Sequence, residues 1–246
     1  MAVYFATIDK LIEEGFLMDS RFNSPAEIAS LVSKSGVTKS MLPLPKMILL
    51  GLMAGAFIAF GGAASDVAMH GVADVGLARV VAGTIFPVGL MLVVFTGSEL
   101  FTGNCLMIIP TLEKKIKVAS MLRNLVVVYI SNFVGAMIID LLITFSGQLN
   151  YSNGGLGAFT IKVALAKTTI NPATAIISGI LCNILVCLAI VMATGATDAI
   201  GKIFGVFFPI CAFVVCGFEH CVANMFYIPT GVMAAMNPEY VAKAQE

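Results

Sequence analysis

Gly97-Ser98-Glu99-Leu100-Phe101-Thr102-Gly103-Asn104 and Gly217-Phe218-Glu219-His220-Cys221-Val222-Ala223-Asn224 stand at the centres of the two longest apolar stretches of the chain. Gly, Glu, a small residue and Asn coincide in the two octets. An Ile-Pro-Thr follows each, as Ile109-Pro110-Thr111 and Ile228-Pro229-Thr230, with a one-residue offset. A carboxylate deep in a membrane span costs about 3 kcal/mol on insertion scales, so a glutamate at matched places in both stretches argues for an internal repeat rather than drift.

The stretches that hold the octets run over 79–112 and 201–236. An α-helix rises about 1.5 Å per residue, so both are too long for one straight crossing, and their polar centres mark them as interrupted helices. Further apolar segments lie at 46–64, 118–146 and 173–196, each near the ~20 residues that a crossing needs. The composition agrees: 59% of the 246 residues are hydrophobic and 11% are charged, against about 25% charged in soluble domains. The fold class expected is an all-α integral membrane protein, with a cytoplasmic amphipathic segment over 1–45 and a transmembrane pore domain over 46–246.

Charge placement orients it. Lys114, Lys115 and Lys117 cluster between the second and third segments, and Lys10, Arg21, Lys34, Lys39 and Lys46 precede or open the first. The loop at 65–78 holds Asp66, His70 and Asp74, so the positive-inside rule puts the N-terminus in the cytoplasm and the loop at 147–172, with Lys162 and Lys167, outside. Segment two then runs inward and segment five outward, which makes the repeats inverted, the architecture in which discontinuous helices meet at a midplane site. Five spans are visible and a sixth is expected to close the second repeat; the end, Tyr240 to Glu246, reads as a ragged tail. At the other end, Phe5, Ile8, Leu11, Ile12 and Phe16 have helical spacing, and Ser24-Pro25-Ala26-Glu27 opens a second short helix. No basic start followed by an apolar run marks a cleavable signal.

The zero net charge excludes a global field for nucleic acid. Cys105, Cys182, Cys187, Cys211, Cys216 and Cys221 all fall in apolar stretches without metal-ligand spacing and read as reduced core residues. No metal or cofactor is expected, and no nucleophile with its base or phosphate-cradling loop suggests an enzyme. His220 is the one histidine inside a span and is a functional candidate on that ground. Glu99 and Glu219 flank the breaks, where freed backbone N–H groups need acceptors, and each is expected to tie down its own break. Thr102 and Asn183 can serve an imidazole or an anion, or glue helices together. Lys167 can concentrate anions at a mouth or be a solvated loop lysine. Gly51, Gly55 and Ala59, with Ser131 and Gly135, form close-packing faces.

Over nearly all of residues 20 to 236 the chain resembles the formate/nitrite transporter family of pentameric anion channels. The first octet looks like the family's Ω-loop break. Gly179-Ile180-Leu181-Cys182-Asn183-Ile184-Leu185-Val186-Cys187-Leu188-Ala189 looks like its second signature, and Gly217-Phe218-Glu219-His220 with Ala223-Asn224-Met225-Phe226 is similar to its central-histidine segment. The resemblance implies a pore in each subunit of a homopentamer in the plasma membrane. It puts His220 at the centre with Thr102 and Asn183 as polar partners, and Lys167 in the outer vestibule. Leu90 and Phe101 resemble an inner constriction, and Phe86, Val186 and Phe213 an outer one. The hydrosulfide branch is the nearest, with formate and nitrite as neighbouring substrates. The rival from another class is an aquaporin-like neutral-solute channel, whose fold is likewise an inverted repeat; one Asn-Pro-Ala is present, Asn171-Pro172-Ala173, but it occurs once, ahead of a full span and not on a half-helix.

Overall fold

The computed structural model describes residues 22–246; the amphipathic stretch from Phe5 to Phe16 lies outside the described residues. The described chain is helical throughout. Helix α1, Pro25–Ser40, opens with a capping box: the Ser24 side chain accepts from Glu27 N–H and the Glu27 carboxylate accepts from Ser24 N–H, with Pro25 in the first turn. The expected second short helix therefore forms, and Asn23 ties its start to the end of a later helix through Gly195 C=O at 2.7 Å.

Among the described residues, five helical stretches have the length and apolarity to cross a membrane: α2 (Leu44–Met69), α3 and α4 in series (Val75–Ile85 and Val88–Thr96), α7 (Val118–Phe145), α9 (Pro172–Gly195) and α10 (Ala199–Cys216). Between α4 and α7 lie the short α5 (Phe101–Asn104), a 3-10 turn (Cys105–Met107) and α6 (Ile108–Leu112); after α10 comes α11 (Cys221–Ala234). Both overlong segments are thus interrupted helices, at 97–100 and at 217–220, as their sequence requires. Asn171 caps the 24-residue α9 by accepting from Ala173 N–H, so the lone Asn-Pro-Ala opens a full span and not a half-helix.

Helices α2 and α7 approach most closely where side chains vanish. A Cβ at Gly51 would lie 2.6 Å from Ser131 Cβ, and one at Gly55 or Gly135 would enter the backbone of Asn132 or Leu52. These are the close-packing faces expected from the small-residue spacing.

Three expectations need correction. The stretch 147–172, read as a loop, contains α8 (Tyr151–Thr168), whose ideal path begins after left-handed residues at Ser152, Asn153 and Gly154. It buries small residues, with Gly231 of α11 packed on Ala164 and 2.7 Å from Thr160 C=O as judged by an added Cβ, so a small-residue face escaped a search for large apolar ones. Helix α2 continues to Met69, which places Asp66 inside it and not in the following loop; the residue is 4% exposed. The tail at 238–246 is a helix, α12 (Pro238–Gln245), capped by Asn237 and anchored by Tyr240, whose ring covers Gly154 and Gly157 and whose hydroxyl donates to Asn150.

Candidate functional site

The two breaks share one backbone design. Helix α4 ends at Gly97 with φ 66°, α10 at Gly217 with φ 71°. A left-handed turn of this kind favours glycine because no Cβ crowds the carbonyl. Each turn is closed by the next N–H reaching back five residues, Ser98 to Val93 C=O at 3.0 Å and Phe218 to Phe213 C=O at 3.1 Å. Leu100 and His220 then occupy matching extended positions, at φ −106° and −105°, and begin the restarted helices.

The freed backbone groups find partners, but not the glutamates. At the first break Asn132 of α7 does the work: its Oδ1 accepts from Phe101 N–H at 2.9 Å, while its Nδ2 donates to Glu99 C=O at 2.9 Å and Gly51 C=O at 2.8 Å. Glu99 N–H donates to Leu50 C=O. At the second, Glu219 N–H donates to Ser178 Oγ at 2.9 Å. The carboxylates instead receive side chains. Glu99 accepts from Lys39 Nζ at 2.6 Å and Asn104 Nδ2 at 2.7 Å, with Asn124 Nδ2 at 3.4 Å. Glu219 accepts from Lys167 Nζ at 3.0 and 3.1 Å and from Asn224 Nδ2 at 2.8 Å.

A lysine from the last turn of a helix earlier in the chain, α1 or α8, a glutamate at the break and an asparagine five residues on are therefore used twice. Lys39, Asn104, Asn124 and Asn132 were not singled out from sequence. The repeated Glu-x-x-x-x-Asn was the available signal for Asn104, as for Asn224, whereas nothing local points to Asn124 or Asn132 or links Lys39 to Glu99. Lys167 is neither a free vestibule cation nor a solvated loop residue, since its charge faces Glu219 and it lies 5.2 Å from the Tyr227 ring centre.

Where the breaks meet, His220 and Thr102 are both buried, and Nε2 stands 3.2 Å from Thr102 Oγ1. Nδ1 of the same ring accepts the Ala223 N–H at 3.0 Å as the N-cap of α11. An acceptor nitrogen carries no proton, so the cap fixes the neutral tautomer with its hydrogen on Nε2. Thr102 must then accept from the ring, which leaves its own hydroxyl hydrogen free to donate elsewhere. Phe213 stacks on the imidazole at 5.6 Å and Phe86 meets Phe213 edge-on at 5.6 Å.

Phe86, Phe213 and His220 line a cavity of about 330 Å³ together with Asp66, Arg79, Lys167 and Tyr227. On its other side His220, with Thr102, Phe101 and Asn183, lines a larger groove of about 1020 Å³ against α9. Asn183 bonds neither His220 nor Thr102; its Nδ2 faces Cys187 Sγ at 3.8 Å, and its Oδ1 has no partner among the described residues. Phe101 packs edge-on against Tyr129 at 4.9 Å. Leu90 and Val186, at 2% and 1% exposure, are closed into the core and line neither cavity.

The formate/nitrite transporter family pattern matches residues 26–244. The chain belongs to the formate/nitrite transporter family. A probable formate transporter of Methanothermobacter thermautotrophicus is 43% identical to it over 233 residues, covering 87% of this chain and 85% of that protein. The formate channel FocA of Escherichia coli (strain K12) is 34% identical over 211 residues, covering 85% and 74%. A solved pentameric formate channel with formate bound is similar to it with a TM-score of 0.74 at 31% identity, covering 82% of this chain and 80% of that one. Family membership and the five spans make the chain a multi-pass membrane channel of the formate/nitrite transporter kind, and the broken-helix fold is that of a known pentameric channel.

Proposed function

We propose that this chain is the subunit of a homopentameric plasma-membrane channel that carries small monovalent anions of weak acids, with formate foremost. The observation that carries this reading is the His220–Thr102 contact at the junction of two half-helices, walled by Phe86 and Phe213. The relatives' names favour formate over hydrosulfide, the expectation from sequence, and nitrite is the third substrate to test.

An anion entering an aromatic ring loses hydration, and bare apolar walls would stop it. Here the Thr102 hydroxyl can donate to it, because the imidazole supplies Thr102 with a hydrogen bond from behind. The N-terminal end of α11 adds the positive end of its dipole at the same depth. Passage as the neutral acid needs more: a ring able to give up a proton and stay neutral must first be protonated on Nδ1, which breaks the Ala223 cap. His220 thus couples proton transfer to local loosening of α11. With the Lys114 loop inside, by the positive-inside rule, the 330 Å³ cavity faces outward.

The test is a side-by-side flux assay of formate, nitrite and hydrosulfide, with glycerol swelling as control, at two pH values in proteoliposomes. Glycerol permeation without anion flux would sink the reading. His220→Asn keeps a capping acceptor and a hydrogen-bond donor but cannot titrate. It is expected to conduct anions with the pH dependence flattened, and a wild-type pH profile would remove His220 from the proton path.

A further inference from the structure

The cavity that leads to Phe86 and Phe213 holds two cations, and they are not equivalent. Lys167 is spent on Glu219. Arg79 forms no ion pair with Asp or Glu among the described residues. Its guanidinium lies across the second break: a Cβ added at Gly217 would stand 2.5 Å from Arg79 Nη1 and 3.1 Å from its Cζ. The corresponding Gly97 of the first break has nothing within 4 Å of such an atom. Glycine at 97 answers to its φ alone, whereas glycine at 217 also leaves the seat that the guanidinium occupies.

The helix that carries Arg79 sets its place on the route. Arg79, Ala82 and Phe86 line the same cavity from one face of α3, at i, i+3 and i+7. Seven residues of helix separate Arg79 from Phe86 by about 10 Å. An anion therefore passes the guanidinium before it meets the aromatic ring and His220.

Resting on the channel reading above, we propose that Arg79 is the anion-recruiting residue of this vestibule and selects small carboxylates. A guanidinium is a planar fork that matches the two oxygens of a carboxylate, which an ammonium cannot imitate. It is also more weakly hydrated than an ammonium, so it gives up little hydration when an anion docks on it. The carboxylates on the same wall define the balance: Glu219 is neutralised by Lys167, and Asp66 holds an oxygen with no hydrogen-bond partner among the described residues. Of the two cations in the mouth, Arg79 is therefore the one that no carboxylate pairs with among the described residues.

The experiment uses the full chain in planar bilayers, with anion added first on one side and then on the other, at low and high ionic strength. Arg79→Gln is expected to raise the half-saturating formate concentration about fivefold from the Arg79 side, leave the maximal current unchanged and weaken its salt dependence. Arg79→Lys is expected to restore the response to hydrosulfide, which offers no second acceptor atom, but not to formate. An unchanged half-saturation in Arg79→Gln, or an equal change from both sides, overturns the proposal. If Arg79→Gln fails to assemble, Arg79→Lys decides it, because full retention of formate half-saturation there refutes carboxylate selection. Absence of anion current in the wild-type chain refutes the channel reading instead.

Discussion

Lys39→Met isolates the repeated Lys–Glu–Asn device at the break where it is most buried. The Glu99 side chain is 4% exposed and takes its shortest bond, 2.6 Å, from Lys39. Removing one partner of a buried pair typically costs about 3–5 kcal/mol, because a charge is left without compensation. Asn104 and Asn124 still donate to the same carboxylate, which sets the expectation at the lower end, about 3 kcal/mol. Lys167→Met should cost less, about 1–2 kcal/mol, since the Glu219 side chain is 13% exposed and lies on a cavity wall that water can reach. Adding Glu99→Gln to Lys39→Met removes the stranded charge and should recover most of the loss. Unfolding in mixed SDS micelles, followed by circular dichroism, measures all four proteins. If Lys39→Met unfolds at the wild-type SDS fraction, or if the double variant is no more stable than the single one, the pair is not what holds the break.

Gly55→Ala drives a methyl group into the Asn132 carbonyl, a backbone atom that cannot step aside, and should cost about 3 kcal/mol or abolish the folded protein. Gly103→Ala, whose nearest neighbour would be Ile190 Cγ1 at 3.6 Å, should be tolerated; yields of folded protein in detergent compare the two. Glu113 lies beyond the end of α6, where the Ser33 hydroxyl and then the Lys115 ammonium hold its carboxyl below the usual range. A lowered folded-state value means that the stability it contributes is present above the ordinary carboxylate range and is lost as pH falls through the lowered value. Ser33→Ala should therefore unfold earlier than wild type at neutral pH and converge with it as pH falls through the lowered value, as read by the same SDS titration.

The breaks could be found in sequence because a glutamate is costly inside a span and stood at matched places in the two stretches too long for one crossing, so Glu99 and Glu219 stood out against apolar surroundings. Their actual contacts could not. The carboxylates seemed the natural acceptors for freed N–H groups, yet Asn132, 33 residues from Glu99 in the chain, takes that place. Helix α8 was hidden for a different reason. Its buried face is Gly154, Gly157, Ala158, Thr160 and Ala164 around a single Leu156, and small and hydroxylic residues give no apolar periodicity. The His220–Thr102 pair was recognisable as a pair of candidates, but the neutral tautomer depends on the Ala223 cap, which only coordinates reveal.

The repeat also separates scaffold from chemistry. Aligned by octet, Gly97 and Gly217, Glu99 and Glu219, and Asn104 and Asn224 are the same residue in both copies, and each does the same thing at its break. The copies differ where the site is: Leu100 answers to His220, and Thr102 answers to Val222. One break supplies the hydroxyl, the other the imidazole, and neither half contains both. Duplicated positions should then fail through folding and divergent ones through conduction. Thr102→Val gives the first octet the residue that the second already accommodates at the matching place. It leaves the Nε2 hydrogen unpaired, a loss of about 1 kcal/mol, and removes the hydroxyl that the ring leaves able to donate to an anion. Stability close to wild type with formate flux lowered at least about tenfold is the expected outcome, equivalent to about 1.4 kcal/mol in the barrier. A Thr102→Val channel that carried formate at the wild-type rate would mean that the hydroxyl does no more than hold the ring, and the chemistry of the junction would have to be sought in His220 alone.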